Sequence, residues 1–149
     1  SQAFEGLDDL ERDIQIRYTL RAPQLARGEG RELRIPATAV RELLREMAPI
    51  ATREYPLELG VHRSYREQRR VRAPKGFRPG LVPAGGEVKS PFGSLRVKNE
   101  ARGNEVVSET VLNFDADRVD PAQYPAFRRF IEQADEILRQ RIAFVPEKP

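Results

Sequence analysis

Between positions 13 and 20 apolar and polar side chains alternate, Ile14, Ile16, Tyr18 and Leu20 against Asp13, Gln15, Arg17 and Thr19. A period of two sends successive side chains to opposite faces, so this stretch predicts a strand with one buried face. Leu33 and Ile35 predict a shorter strand that stops at Pro36. Tyr55, Leu57, Leu59 and Val61 alternate again, with Pro56 placing them at an edge or at the start of a strand. Residues 64–72 predict a strand with a solvated, arginine-rich face, and residues 77–82 are extended between Pro79, Gly80 and Pro83. Leu95 and Val97 mark a further strand. Arg102, Gly103 and Asn104 predict a hairpin loop, because glycine takes positive φ freely. The return strand carries Val106, Ser108, Thr110, Leu112 and Phe114 on one face, and Ile142 to Val145 predict a last strand before the tail.

Two segments carry the helical period instead. Thr38 is a candidate N-cap for Val40, Leu43, Leu44 and Met47, and Pro49 ends the pattern, which predicts a short helix near 38–48. Asp120 is a candidate N-cap with Pro121 at the first helical position. Phe127, Phe130, Ile131, Ala134, Ile137 and Leu138 then fall on one face, which predicts an amphipathic helix near 121–140. Pro125 lies early enough in it to be tolerated.

Many short strands divided by Gly/Pro turns predict a mainly β fold of the α+β class. Its expected form is β-sandwich-like, immunoglobulin/fibronectin-like, with the last helix across a sheet or over its edge. The chain has 149 residues, enough for one domain over 1–149. Within it, 1–9 is expected to be flexible, 10–52 to hold leading strands and the short helix, and 53–145 to form the main sandwich and terminal helix. No internal repeat or low-complexity linker is visible.

Composition removes most chemistry. There is no cysteine and one histidine, His62, so thiolate nucleophiles, disulfides, two-histidine metal sites and serine–histidine triads lack their parts. We expect no enzyme activity, no metal and no cofactor. His62 reads as a surface or interface side chain. Residues 83–86, Pro-Ala-Gly-Gly, lack the Lys-Ser/Thr of a phosphate loop. Asp115, Asp117 and Asp120 invite a calcium loop, but the sixth position is Asp120 rather than glycine and the twelfth is Ala126. They read instead as a solvated loop that favours the positive end of the helix. No apolar run approaches the roughly 18–20 residues of a membrane span. No basic segment precedes an apolar run at the N-terminus, so no signal peptide is expected there. The chain begins with Ser rather than Met, which keeps an envelope protein open.

Charge adds one feature. The net charge is +3, yet residues 61–80 hold seven bases against Glu67 alone. Arg63, Arg66, Arg69, Arg70 and Arg72 are therefore the candidate binding residues, with Tyr65 and Phe77 interleaved as a stacking surface would need. An acidic partner or a surface glycan suits so mild a net charge better than nucleic acid does. An alternative is a free-standing carbohydrate- or protein-binding sandwich, with Tyr55, Tyr65 and Phe92 as its platform.

Several landmarks occur in series: Arg53-x-x-Pro56-Leu57, Pro74-x-Gly76-Phe77, Leu81-x-Pro83, Ser90-Pro91-Phe92-Gly93-Ser94, a strand ending near Phe114, and Tyr124-x-x-Phe127-Arg128. Over about 9–145 this series resembles the C-terminal, non-catalytic domain of a family of large bacterial transglutaminase-like proteins. In that family a β-rich N-terminal domain comes first and a papain-like transglutaminase core second. The resemblance implies a Cys-His-Asp set in the preceding domain and no catalytic residue here, since this chain has no cysteine. It implies an accessory or interaction domain that supports or positions the core. Its expected partners are that upstream catalytic domain of the same polypeptide and a protein or cell-envelope partner. A periplasmic or envelope setting is implied, with a cytoplasmic one still open.

Overall fold

In the computed structural model the described residues are 2–5, 15–18, 26–29, 31–40, 42–60 and 63–147. Along the chain they form β1 (Gln2–Glu5), β2 (Gln15–Tyr18), β3 (Arg27–Glu29), β4 (Glu32–Pro36), α1 (Leu43–Met47), β5 (Leu57–Glu58) and β6 (Arg63–Arg72). There follow β7 (Phe77–Pro79), β8 (Gly85–Ser90), β9 (Gly93–Arg102), β10 (Glu105–Phe114), β11 (Arg118–Val119), α2 (Tyr124–Leu138) and β12 (Arg141–Pro146). The fold is mainly β with two helices, as the alternating patterns predict.

The largest sheet has the order β6-β10-β9-β8 and is antiparallel throughout. Its centre is the β9–β10 hairpin, in which Arg102 faces Glu105 across the two-residue loop Gly103-Asn104. Gly103 sits at φ 60°, the left-handed value such a tight loop demands at its first position. One face of this sheet presents Leu95 and Val97 from β9 and Val106, Leu112 and Phe114 from β10, all buried.

Helix α2 covers part of that face. Phe127, Ile131, Ala134 and Leu138 are fully buried, and they share a core with Phe92, Leu95, Val97, Leu112 and Phe114. The second sheet, β3-β4-β12-β7, covers another part. Ile35, Ile142 and Phe144 from its strands meet Ala73 and Val106, with Val71 and Phe77 around them. Helix and second sheet thus share the layer that a plain sandwich gives wholly to strands. Two small ladders, β1–β2 and β5–β11, complete the pairing.

Two local expectations change. The helix expected near 38–48 is one turn, Leu43–Met47. The Thr38 hydroxyl is occupied elsewhere: it donates to a Glu67 carboxylate oxygen at 2.8 Å and accepts the Val40 N–H at 3.2 Å. Such a local bond competes with helix rather than capping it. The real start lies at Glu42, held at φ 62°, followed by Leu43, whose N–H is met by Asp135 from α2. Asp120 likewise does not cap α2 with its side chain. Its carboxylate takes Arg118 Nε at 3.1 Å, while its backbone carbonyl accepts the N–H groups of Gln123 and Tyr124, so the helix opens after a preparatory turn. Gln2–Glu5 pairs in register with Gln15–Tyr18. A ladder needs backbone groups only, so polar side chains do not forbid it.

The alternation at Tyr55, Leu57 and Leu59 yields only the two-residue strand β5. Beyond it the Leu59 and Gly60 N–H groups both donate to the Asp117 carbonyl, at 2.7 and 3.1 Å.

Candidate functional site

The arginine strip becomes β6, a ten-residue strand at the edge of the large sheet. It pairs with β10 through ten consecutive positions, from Arg63 against Phe114 to Arg72 against Glu105. The pleat divides the candidates. Arg63 and Arg69 share the inner face with Tyr65, Glu67 and Val71, while Arg66, Arg70 and Arg72 share the outer face with Ser64 and Gln68. The five candidate arginines are two groups, not one strip.

The inner group is structural at one position. Arg69 donates through Nη1 to the Pro36 carbonyl at 2.9 Å, and its Nε lies 3.7 Å from Glu67. Glu67 also takes the Thr38 hydroxyl and the Ala39 N–H, the latter at 3.0 Å. Together these side chains fasten the segment leaving β4 to β6. Arg63, by contrast, lines an open cleft of about 490 Å³ with Ser64, Tyr65, Leu112 and Phe114.

The outer face is a grid of charges. Across the strands, Arg66 lies level with Val111, Arg96 and Glu87; Arg70 with Val107 and Glu100; and Arg72 with Glu105 and Arg102. Arg72 is paired to Glu105 at 2.7 Å. Glu87 is held below the ordinary carboxylate pKa by a hydrogen bond from Lys89 and by its charge. Glu100 is lowered in the same way by Arg102, whose own pKa is raised in return. The side chains of Arg66 and Arg70 form no ion pair or hydrogen bond among the described residues. They are the uncommitted cations of the β6 row, as Arg96 and Lys98 are of the β9 row.

The aromatic platform does not assemble. Phe92 is only 7% exposed and stands edge-on to Phe127, with ring centroids 5.6 Å apart. Its apolar ring is drawn into the core under α2 instead of into water. Phe77 is half-buried against the second core, and Tyr65 faces inward from β6. Tyr55 stands well out, at 77% exposure, and Tyr65 keeps 38% of its surface exposed. His62 lies outside the described residues.

Among the described residues no group of three acids or histidines could hold a metal ion. The loop of Asp115 and Asp117 is held by its backbone, with the Asp115 N–H donating to the Phe92 carbonyl at 3.0 Å. A second cleft, of about 380 Å³, opens between α1 and α2 and includes Arg45, Arg128 and Arg139. Each of these already has a carboxylate: Glu42, Glu132 and Asp135 in turn. Sequence reasoning did not single out Asp135, the key residue there. It lies four positions after Ile131 and so on the apolar stripe, which is the signal that an acid there is buried.

A family model matches residues 35–144, and its description is a Domain of Unknown Function with solved structure, DUF3858. The chain belongs to this family. Its fold also recurs in a crystal structure described as a "putative protease" from Parabacteroides distasonis, with a TM-score of 0.55 and 18% identity. That match covers 64% of this chain and 19% of the other. At this identity the likeness is one of fold. No curated protein matches the chain.

Proposed function

We propose that this chain is a non-catalytic accessory domain of a transglutaminase-like protein, one that supports or positions a catalytic core or binds a partner. The observation that carries the reading is the asymmetry of the structural match: a fold filling 64% of this chain occupies 19% of a far longer chain described as a "putative protease". The landmark series from Arg53 to Arg128 supports the transglutaminase context. The uncommitted Arg66 and Arg70 support a binding role. In this reading the domain works in the periplasm or at the cell envelope beside an upstream core.

The test compares the full-length polypeptide with a version lacking this domain. An accessory role predicts that deletion lowers the melting temperature of the core, raises its KM, or abolishes partner capture, while this chain alone turns over no peptide or amine substrate. Identical behaviour of the two versions, or turnover by this chain alone, overturns the reading. The carbohydrate alternative has lost Phe92 from its platform, and a glycan array that stays blank removes it.

A further inference from the structure

We propose that the open edge of β6 binds an extended acidic segment of a partner protein as an added antiparallel strand, with carboxylates four positions apart facing Arg66 and Arg70. The inference deepens the partner-binding part of the function proposed above and rests on it only in requiring that a partner exists.

The edge itself is the first argument. Among the described residues β6 is terminal in its sheet and pairs with β10 alone. A terminal strand carries a row of backbone N–H and C=O groups pointing away from the sheet, ready for another strand. Native edges are commonly blunted by proline, by a bulge or by shortness. β6 has none of these; its protection is charge on both faces, which discourages any added strand except one of complementary charge. β6 runs ten residues without proline, and its ten pairs with β10 follow one another without a break in register.

The charges give the second argument and select the occupant. A strand added beyond β6 lies about 4.8 Å away, and its side chains meet those of β6 row by row. On the outer face it would meet Ser64, Arg66, Gln68, Arg70 and Arg72 in order. Arg72 is already neutralised by Glu105, whereas Arg66 and Arg70 are exposed and uncommitted. The complementary strand therefore carries an acid, a neutral polar residue two positions on, and a second acid two further on. The residues between them turn to the other face, level with Glu67 and Arg69, which are committed to each other and to the segment after β4, and the next inward position lies level with half-buried Val71.

The same grid disfavours nucleic acid. A polyanion lying across the outer face would leave Arg66 and Arg70 for a mixed field, in which Glu105, Glu109, Glu100 and Glu87 alternate with Arg96, Lys98, Arg102 and Lys89. A strand lying along the edge meets only the β6 row. Self-pairing of two β6 edges is disfavoured too, because it sets arginines against arginines.

The experiment titrates the 149-residue chain with the peptide Thr-Val-Glu-Val-Thr-Val-Glu-Val-Thr, blocked at both ends, and follows backbone amides by NMR. Binding is expected, with slowed hydrogen exchange confined to outward amides of residues 66–72. The double variant R66E/R70E should bind at least tenfold more weakly at an unchanged melting temperature, and R66A/R70A serves if the reversal does not fold. Replacing the peptide's valines by prolines keeps its charge but removes strand pairing, and should weaken binding equally. Four results overturn the proposal: no binding at millimolar peptide; equal binding of the proline peptide; tighter binding of a single-stranded oligonucleotide of equal length; or the same amide protection arising from self-association. None of these touches the deletion experiment, so failure here leaves the accessory role standing, and turnover by this chain alone would leave this edge standing.

Discussion

Asp135, on α2, accepts the backbone N–H of Leu43 through Oδ1 at 3.0 Å, across 92 positions of sequence. Its second oxygen takes Arg139 Nη2 at 2.9 Å, and the carboxylate is almost wholly buried. This bond supplies the partner that α1 lacks in its own sequence, since no side chain caps it locally. A second tether, from the Tyr124 hydroxyl to the Ile50 carbonyl at 2.8 Å, fixes the far side of the same segment. Helix α1 is thus a product of tertiary contact. Asp135→Ala leaves the Leu43 N–H buried and unmet, and should cost about 2 kcal/mol of unfolding free energy. Asp135→Asn keeps one acceptor oxygen and should cost less. Urea denaturation of the three proteins measures both, and a midpoint for the alanine variant equal to the parent's would show that the bond contributes nothing.

The packing of α2 on the large sheet gives the sharpest contrast between neighbours. Phe127 has no exposed surface and meets Phe92 edge-on. Arg129, two residues later, points into water. Phe127→Asp removes the ring and leaves an unpaired charge in its place, and should cost at least about 4 kcal/mol. Arg129→Asp should change stability by no more than about 0.5 kcal/mol. Thermal melts decide it, and equal losses would contradict the packing described.

What the sequence reveals here follows the range of the interactions. Helix α2 is written in its own period, and the Gly103-Asn104 hairpin in its own turn residues, so both are legible locally. The arginine strip is half legible: alternation already assigns Arg66 and Arg70 to one face and Arg69 to the other. What alternation does not show is that β6 skips its sequence neighbours to pair with β10, which is why its far side is an open edge. Phe92 reads as exposed because it occupies a two-residue turn, and only the arrival of α2 buries it. The start of α1 is illegible for the same reason, because its partner is Asp135.

Glycine at position 85 is fixed by close approach. A Cβ there would lie 2.0 Å from the Val97 carbonyl oxygen, and the residue sits at φ +100°. Backbone of the central strand β9 is what it would strike, so no side chain can swing aside. Gly85→Ala should cost about 3 kcal/mol or more, through left-handed strain together with displaced pairing between β8 and β9. Gly103, at φ +60°, has open space where a Cβ would stand, with no atom within 4 Å, so Gly103→Ala should show the strain alone, about 1 kcal/mol. Chemical denaturation of the two variants separates clash from strain. A Gly85 variant no worse than the Gly103 variant would rule out the close approach.

Thr38 and Thr110 are equally buried, each with 1% of its surface exposed, and their hydroxyls predict opposite outcomes. The Thr38 hydroxyl bridges Glu67 and the Val40 N–H, joining the segment after β4 to β6. The Thr110 hydroxyl, under the same sheet and level with Glu67, has no partner. Valine has nearly the shape of threonine without the polar atom. Thr38→Val should therefore destabilise by about 1–2 kcal/mol, because Glu67 and the Val40 N–H both lose a partner. Thr110→Val removes a polar atom that is desolvated without return, and should stabilise by about 1 kcal/mol. Losses of equal size would instead mean that an ordered water satisfies Thr110, and a high-resolution crystal structure would then show it between Ser108 and Thr110.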